Sequence, residues 1–278
     1  MRLHFLLLAM TCLLSLSAAN VAVAQEQRRA VSQCQAVAEA IPKATFISFA
    51  GSTPPTPAGI TEETVKITYV GHSTFLIETP GGISIATDYS GWYTPPRLPT
   101  VVTMNRAHSS HYTLTPDPGI RYVLHGWSDV PGEKPKIDLT VGDTYIRNVT
   151  TDIRGSYGTA QPDANSIFIF EVAGLCIGHL GHLHYELTEA HYTEIGRLDI
   201  IMVPVDGGLT MGEDSMSRVV KRLRSSLILP MHQPRPLKSF LAMFGPDFDI
   251  TYAPTNTITV SMRTLPKKPL IYVAQGMQ

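Results

Sequence analysis

A chain of 278 residues that is 44% hydrophobic and 16% charged holds enough apolar material for a sizeable core and too little charge for a disordered protein. Its formal net charge of -1 leaves no basic surplus to neutralise phosphates, which argues against a nucleic-acid partner.

The chain begins with Arg2, an apolar run "FLLLAMTCLLSLSAA", "AVA" at 22–24 and then polar "QEQRR". A basic start, a short apolar stretch and an A-x-A site read as a secretory signal over residues 1–24, cut after Ala24. The alternative is an uncleaved anchor, but the run is short for a span and no positive stop-transfer cluster follows it. The expectation is an exported protein, periplasmic or extracellular, with no stable membrane insertion after cleavage. Cys12 leaves with the signal, and Cys34 and Cys176 remain. Export permits a bridge between them, yet two cysteines are not a framework, and two buried thiols fit the sequence as well.

Residues 25–60 read as a lead-in: a helix over 26–41, with Val31, Cys34, Val37, Ala38 and Ile41 at helical spacing and Pro42 ending it, then the loop "GSTPPTPAGI". The main domain is expected over 61–278 and is rich in strands. "VKITYVGHSTFLIET" and "ISIATDYS" form a hairpin around "PGG". Further strands are "TVVTM", "IRYVLHGW", "KIDLTVGDTYIRNVTT", "SIFIFEVAGLCIGHL", "DIIMVPV", "SLILPMH", "ITVSM" and "LIYVA". Helical patterns cover 188–196, 212–225 and 236–244. Strands first, then strands alternating with helices, suit a sheet-on-sheet core with helices outside.

Of ten histidines, five (His108, His111, His179, His182 and His232) end apolar strand runs on three segments. One such histidine is an ordinary loop residue. Five imply ligands converging on one sheet edge, since neutral imidazole is a common metal ligand. In "GHLGHLHY", Gly178 and Gly181 are expected to let the backbone turn tightly, and His179, His182 and His184 are not all ligands. His72 lies inside the first hairpin, in a supporting role. His125 and His191 are read as packing or surface residues.

Together "ITYVGHSTFLIETPGGISIATD", "NRAHSSH", "NSIFIFEVAGLCIGHLGHL", "VPVDGGLTM" and "LPMH" resemble, in order and spacing, the metallo-β-lactamase fold hydrolases, over roughly residues 64–235. The branch they resemble includes the ascorbate-phosphate lactonases and related metal-dependent hydrolases. The resemblance implies an α/β, four-layer αββα sandwich with a metal site along one edge of its sheets. In the family this site holds two metals, mostly zinc, and activates a water. Carried over residue by residue, the T-H-x-H-x-D-H loop becomes Arg106, His108, Ser110 and His111. The next histidine is missing near "VTTDIRG", where Asp152 is the nearest replacement. The bridging aspartate becomes His182, the late histidine is His232, and the opening hairpin ends in Asp88 as a supporting residue.

These replacements change the chemistry. Arg106 opposes a cation unless it meets a carboxylate such as Asp88 or an anionic substrate group. Ser110 is a neutral oxygen, and His182 has one lone pair where a carboxylate would bridge two ions. The expectation is one zinc, Zn2+, on His108, His111, His182 and His232, with Asp152, His179 or Asp206 as possible additions. Arg106 and Ser110, in two ligand slots, are the candidate catalytic residues. The implied activity is hydrolysis of a small ester, lactone, amide or phosphoester. The alternative is a binding protein that keeps the fold without metal or catalysis. Oligomeric state is not readable.

Overall fold

A computed structural model describes residues 32–35, 63–155, 159–232 and 237–277. The signal over 1–24, the loop at 51–60 and all of the 26–41 helix except 32–35 lie outside the described residues. Among the described residues, fourteen strands form two sheets. In the first, β1 (Val65–Gly71), β2 (Thr74–Glu78), β3 (Ser84–Ala86), β4 (Val101–Met104), β5 (Tyr122–His125) and β13 (Thr257–Val260) run in the order β13-β1-β2-β3-β4-β5. The second contains β6 (Asp138–Val141), β7 (Thr144–Arg154), β8 (Ala160–Val172), β9 (Leu175–His179), β10 (Ile200–Pro204), β11 (Leu227–Met231), β12 (Asp249–Tyr252) and β14 (Leu270–Val273). Its order is β12-β14-β11-β10-β9-β8-β7-β6.

Pattern follows burial. β1 alternates buried Val65, Ile67 and Tyr69 with more open Lys66, Thr68 and Val70, as an antiparallel strand with one wet face should. β10 and β11 are apolar and buried throughout, as parallel strands covered on both faces must be. Ile67, Phe75, Ile77 and Ile85 of the first sheet share a core with Ile167, Ile169, Ile177 and Ile201 of the second, which is the face-to-face packing expected.

The helices α1 (Glu189–Ile195), α2 (Glu213–Leu223) and α3 (Leu237–Ala242) each link two strands of the eight-stranded sheet. α2 buries Met216, Val219 and Val220 at i, i+3 and i+4, and each such side chain stabilises by about 1.5–3 kcal/mol. Glu213 and Asp214 in its first turn and Lys221 and Arg222 in its last complement the helix dipole. The outer face of the six-stranded sheet carries a smaller cluster around Val102, Met104 and Trp127.

Residues 33–35 form a bend where helical spacing suggested helix, and Cys34 is bonded to Cys176 of β9, so the reading of two separate thiols is replaced by a disulfide. Ser32 Oγ and the Gln33 and Cys34 amides donate to buried Glu171, which also accepts from Arg147 at 2.8 Å. The bond closes a separation of 142 residues, worth about 4–5 kcal/mol if its effect is chain entropy. No described helix is long and apolar enough to cross a membrane.

Candidate metal centre

Parallel pairing puts the C-terminal ends of β9, β10 and β11 on one edge, and those of β3 and β4 likewise point one way. The residues just past these ends, with the β1–β2 turn, make the centre. The turn supplies His72 and Ser73, β3 leads to Asp88, and β4 leads to 105–111. β9 leads to 180–184, β10 to Asp206, and β11 to His232. Three of the six described non-glycine residues with positive φ are His72, Asp88 and His232, at 51°, 41° and 80°. Such conformations cost energy and collect at functional sites.

Two overlapping histidine groups arise. His111, His182 and His232 bring ligand atoms within 4.8 Å of one another, and so do His72, His108 and His111. All four expected ligands therefore lie in one cluster, with His72 among them rather than behind them. His111 Nδ1 donates to Asp88 at 2.5 Å, and His232 Nδ1 donates to Asp206 at 2.7 Å. Carboxylate behind imidazole fixes the tautomer that leaves Nε2 as a lone pair. The Nε2 atoms of His111 and His232, and that of His72, are buried without a hydrogen-bond partner among the described residues. Buried orphans of this kind call for an explanation, and a bound cation supplies one. The donor set fits it: neutral nitrogens, two of them backed by carboxylates.

Burial first, then the neighbouring imidazoles, holds His111 and His182 far below the usual histidine range. Burial and then His232 push His72 down to about 4. His72, His111 and His182 are therefore neutral near pH 7, as ligation requires. Burial raises the Asp88 carboxyl, opposed by His179 and by the Asn105 hydrogen bond. Burial works the same way on Asp206, but the bonds from His232 and Thr210 outweigh it and hold the carboxyl well below its ordinary value.

Other expected residues separate from this centre. His179 is fully buried; its Nε2 donates to Ser73 O at 2.9 Å and its Nδ1 accepts from Gly181 N at 3.1 Å, so no lone pair is left for a metal. It bolts β9 to the β1–β2 turn. Asp152 is exposed, accepts from Asp163 N at 3.0 Å and belongs to neither histidine group. Asp206 acts through His232; its other oxygen accepts from Thr210 N and Oγ1. Asp88 is buried and committed to Asn105 and His111, so the ion pair with exposed Arg106 does not form. Ser110 Oγ meets His108 Nδ1 at 2.7 Å. His125 stacks on Trp127, and His191 closes the capping box of α1.

Sequence reasoning missed two buried asparagines. Asn105 donates to Asp88 and to Ser166 O, and accepts from Ser166 N at 2.7 Å, which joins the two sheets behind the site. Asn165 accepts from His182 N at 2.7 Å. Gly181 has φ +60°, and a Cβ there would stand 2.3 Å from Asn165 Oδ1, so a side chain is excluded twice. Gly178 serves packing instead of a turn: a Cβ would meet Leu198 at 2.7 Å. The available signal was an amide placed directly before each motif, Asn105 before the histidine loop and Asn165 opening "NSIFIF".

The geometry has relatives. The chain is 22% identical over 206 residues to a metal-dependent hydrolase of Myxococcus xanthus, covering 63% of this chain and 73% of that one. A metal-dependent hydrolase of Pyrococcus furiosus is 24% identical over 189 residues, 60% of this chain and 84% of its own. A solved metallo-β-lactamase superfamily structure from Thermotoga maritima superposes with a TM-score of 0.54 at 27% identity, over 76% of this chain and 98% of the other. Residues 66–232, more than half of the chain, match the β-lactamase superfamily domain. The span runs from the first strand to His232 and contains both histidine groups, and the chain belongs to that superfamily.

Proposed function

We propose that the protein is an exported hydrolase that works with one zinc ion on a small ester, lactone, amide or phosphoester. The observation that carries this reading is the pair of buried, partnerless Nε2 atoms of His111 and His232, each backed through Nδ1 by a carboxylate. Relatives named as metal-dependent hydrolases support the reaction class. Neutral imidazoles suit zinc better than the hard, oxygen-seeking cations.

A single ion follows from donor arithmetic. His111 belongs to both histidine groups, and with Nδ1 given to Asp88 it has one lone pair. Neither group contains a carboxylate that could bridge two ions. The ion would rest on His111 and His232 with help from the other cluster histidines. When bound, zinc supplies Lewis acidity, polarising a carbonyl or phosphoryl oxygen and making a water acidic enough to attack near neutral pH. The chain's own residues set the frame: Asp88 and Asp206 hold two rings, and Ser110 holds His108. Exposed Tyr93 stacks 5.9 Å from His72 and would give a small-molecule substrate an aromatic wall. The Cys34–Cys176 bond supports an oxidising compartment and hence export.

The test is hydrolysis of a panel of chromogenic esters, lactones and phosphoesters by the zinc-loaded protein. Turnover lost on chelation and restored by zinc is expected for at least one class. Zinc binding without turnover on any of them would leave a binding protein.

A further inference from the structure

A backbone N–H can only donate, and that of Arg154 donates to Nδ1 of His184. Neutral His184 then carries its proton on Nε2, and this N–H meets His182 Nδ1 at 2.7 Å. With Nδ1 accepting, neutral His182 keeps its own proton on Nε2, which lies 3.1 Å from His108 Nε2. His108 accepts there and turns its Nδ1–H to Ser110 Oγ. One backbone donor on β7 orders the whole run of side chains.

The contrast with His111 and His232 is one of polarity. Their Nδ1 atoms face carboxylates, which accept, so their Nε2 atoms offer lone pairs. The Nδ1 of His182 faces a donor, so its Nε2 offers a proton. To ligate a metal through Nε2, His182 would have to reverse its tautomer. His184 would then carry its proton on Nδ1, and two N–H groups would oppose each other at Arg154.

Building on the zinc reading above, we propose that His184 is a positioning residue that makes His182 a hydrogen-bond donor in the centre, not a metal ligand. The cation rests on the remaining histidines. With a cation on the lone pair of His108, the N–H of His182 would be free to donate to a substrate oxygen. A fixed donor aimed where negative charge develops is a recurrent means of stabilising acyl or phosphoryl transfer.

Two measurements test this. Long-range proton–nitrogen correlation spectra of the 15N-labelled, zinc-free protein should show the Nε2–H form at His182 and His184, and the Nδ1–H form at His111 and His232. The Nδ1–H form at His182 overturns the proposal. Zinc affinity, measured by competition with a chromophoric chelator, supplies the second. His182→Ala should change it by less than about threefold, whereas His111→Ala should cost at least about 100-fold. Equal losses overturn the proposal.

Substitution of His184 then separates positioning from mere packing. His184→Gln keeps one acceptor and one donor and should bind zinc like the parent. His184→Glu accepts from both sides, turns the lone pair of His182 inward and should raise affinity by about tenfold. That gain should vanish with His182→Ala, whereas a simple charge effect would survive it. Equal affinity in the Gln and Glu variants sinks the positioning role. A parent that binds no zinc fails the functional reading instead, and the tautomer spectrum still decides this one.

Discussion

The two carboxylate–histidine pairs that meet at the centre are built differently. Asp88 and His111 come from the six-stranded sheet and are fully buried, and Asp88 is tied through Asn105 to Ser166 of the opposite sheet. Asp206 and His232 belong to the eight-stranded sheet, and Asp206 is satisfied locally by Gly208 and Thr210 in its own loop. The first pair ties the His111 ring to the packing of the sheets. The second orients the His232 ring with little reach beyond its loop.

The largest effect should come from removing a ligand. His111→Ala takes the histidine common to both groups and should lower zinc affinity by at least about 100-fold, while His232→Ala should cost less, because one group remains intact. Chelator competition on the two variants measures this, and equal losses would contradict the shared role of His111. Next is Asp88→Asn. Its amide would face either Asn105 Nδ2 or His111 Nδ1 with a donor, so zinc affinity should fall about 10–100-fold and stability by about 1–3 kcal/mol. Asp206→Asn should cost about tenfold in affinity and little stability, since the loop can re-form its bonds. Denaturant melts of both zinc-free variants check the difference, and a greater stability loss in Asp206→Asn would reverse the comparison.

Acid should act on the cluster in one direction. His72 and His184 are pushed down to about 4, chiefly by burial, from an ordinary 6.5. As pH falls below 6.5 the unfolded chain takes up protons first, so zinc-free stability is full above 6.5 and is lost toward pH 4, and it keeps falling below that through His111 and His182, which burial holds lower still. Thermal midpoints recorded in chelator across this window should fall with pH, and a flat profile would mean the rings are not buried as neutral groups. The smallest effect is expected from Ser110→Asp. A carboxylate on His108 Nδ1 backs one more imidazole, so affinity should rise by a few-fold at most, roughly the lower end of an outer-shell contribution. Elemental analysis should still find no second ion.

Periodicity and chain order carried most of this architecture because they track burial. The apolar runs that became β8, β10 and β11 are buried nearly throughout, and the helix of 212–225 shows its apolar stripe as Met216, Val219 and Val220. β12 was not legible: its residues Asp249–Tyr252 are all exposed, so an edge strand leaves no alternation to read. At the site, strand-end position identified His111, His182 and His232. It also selected His179, because one-dimensional spacing does not say whether a ring's second nitrogen is already engaged. His72 sits in a tight turn with no motif partner nearby, and only the fold brings it against His232, with ring centroids 4.5 Å apart. The Cys34–Cys176 bond likewise depends on how the segment near Glu171 docks, which no spacing encodes.

We propose that the histidine cluster anchored by Asp88–His111 and Asp206–His232 holds one metal ion. Zinc content per chain, measured on purified protein after saturation and removal of free metal, tests it most directly. One zinc is expected in the parent and almost none in His111→Ala. Two zinc ions per chain, or none even after saturation, would contradict it.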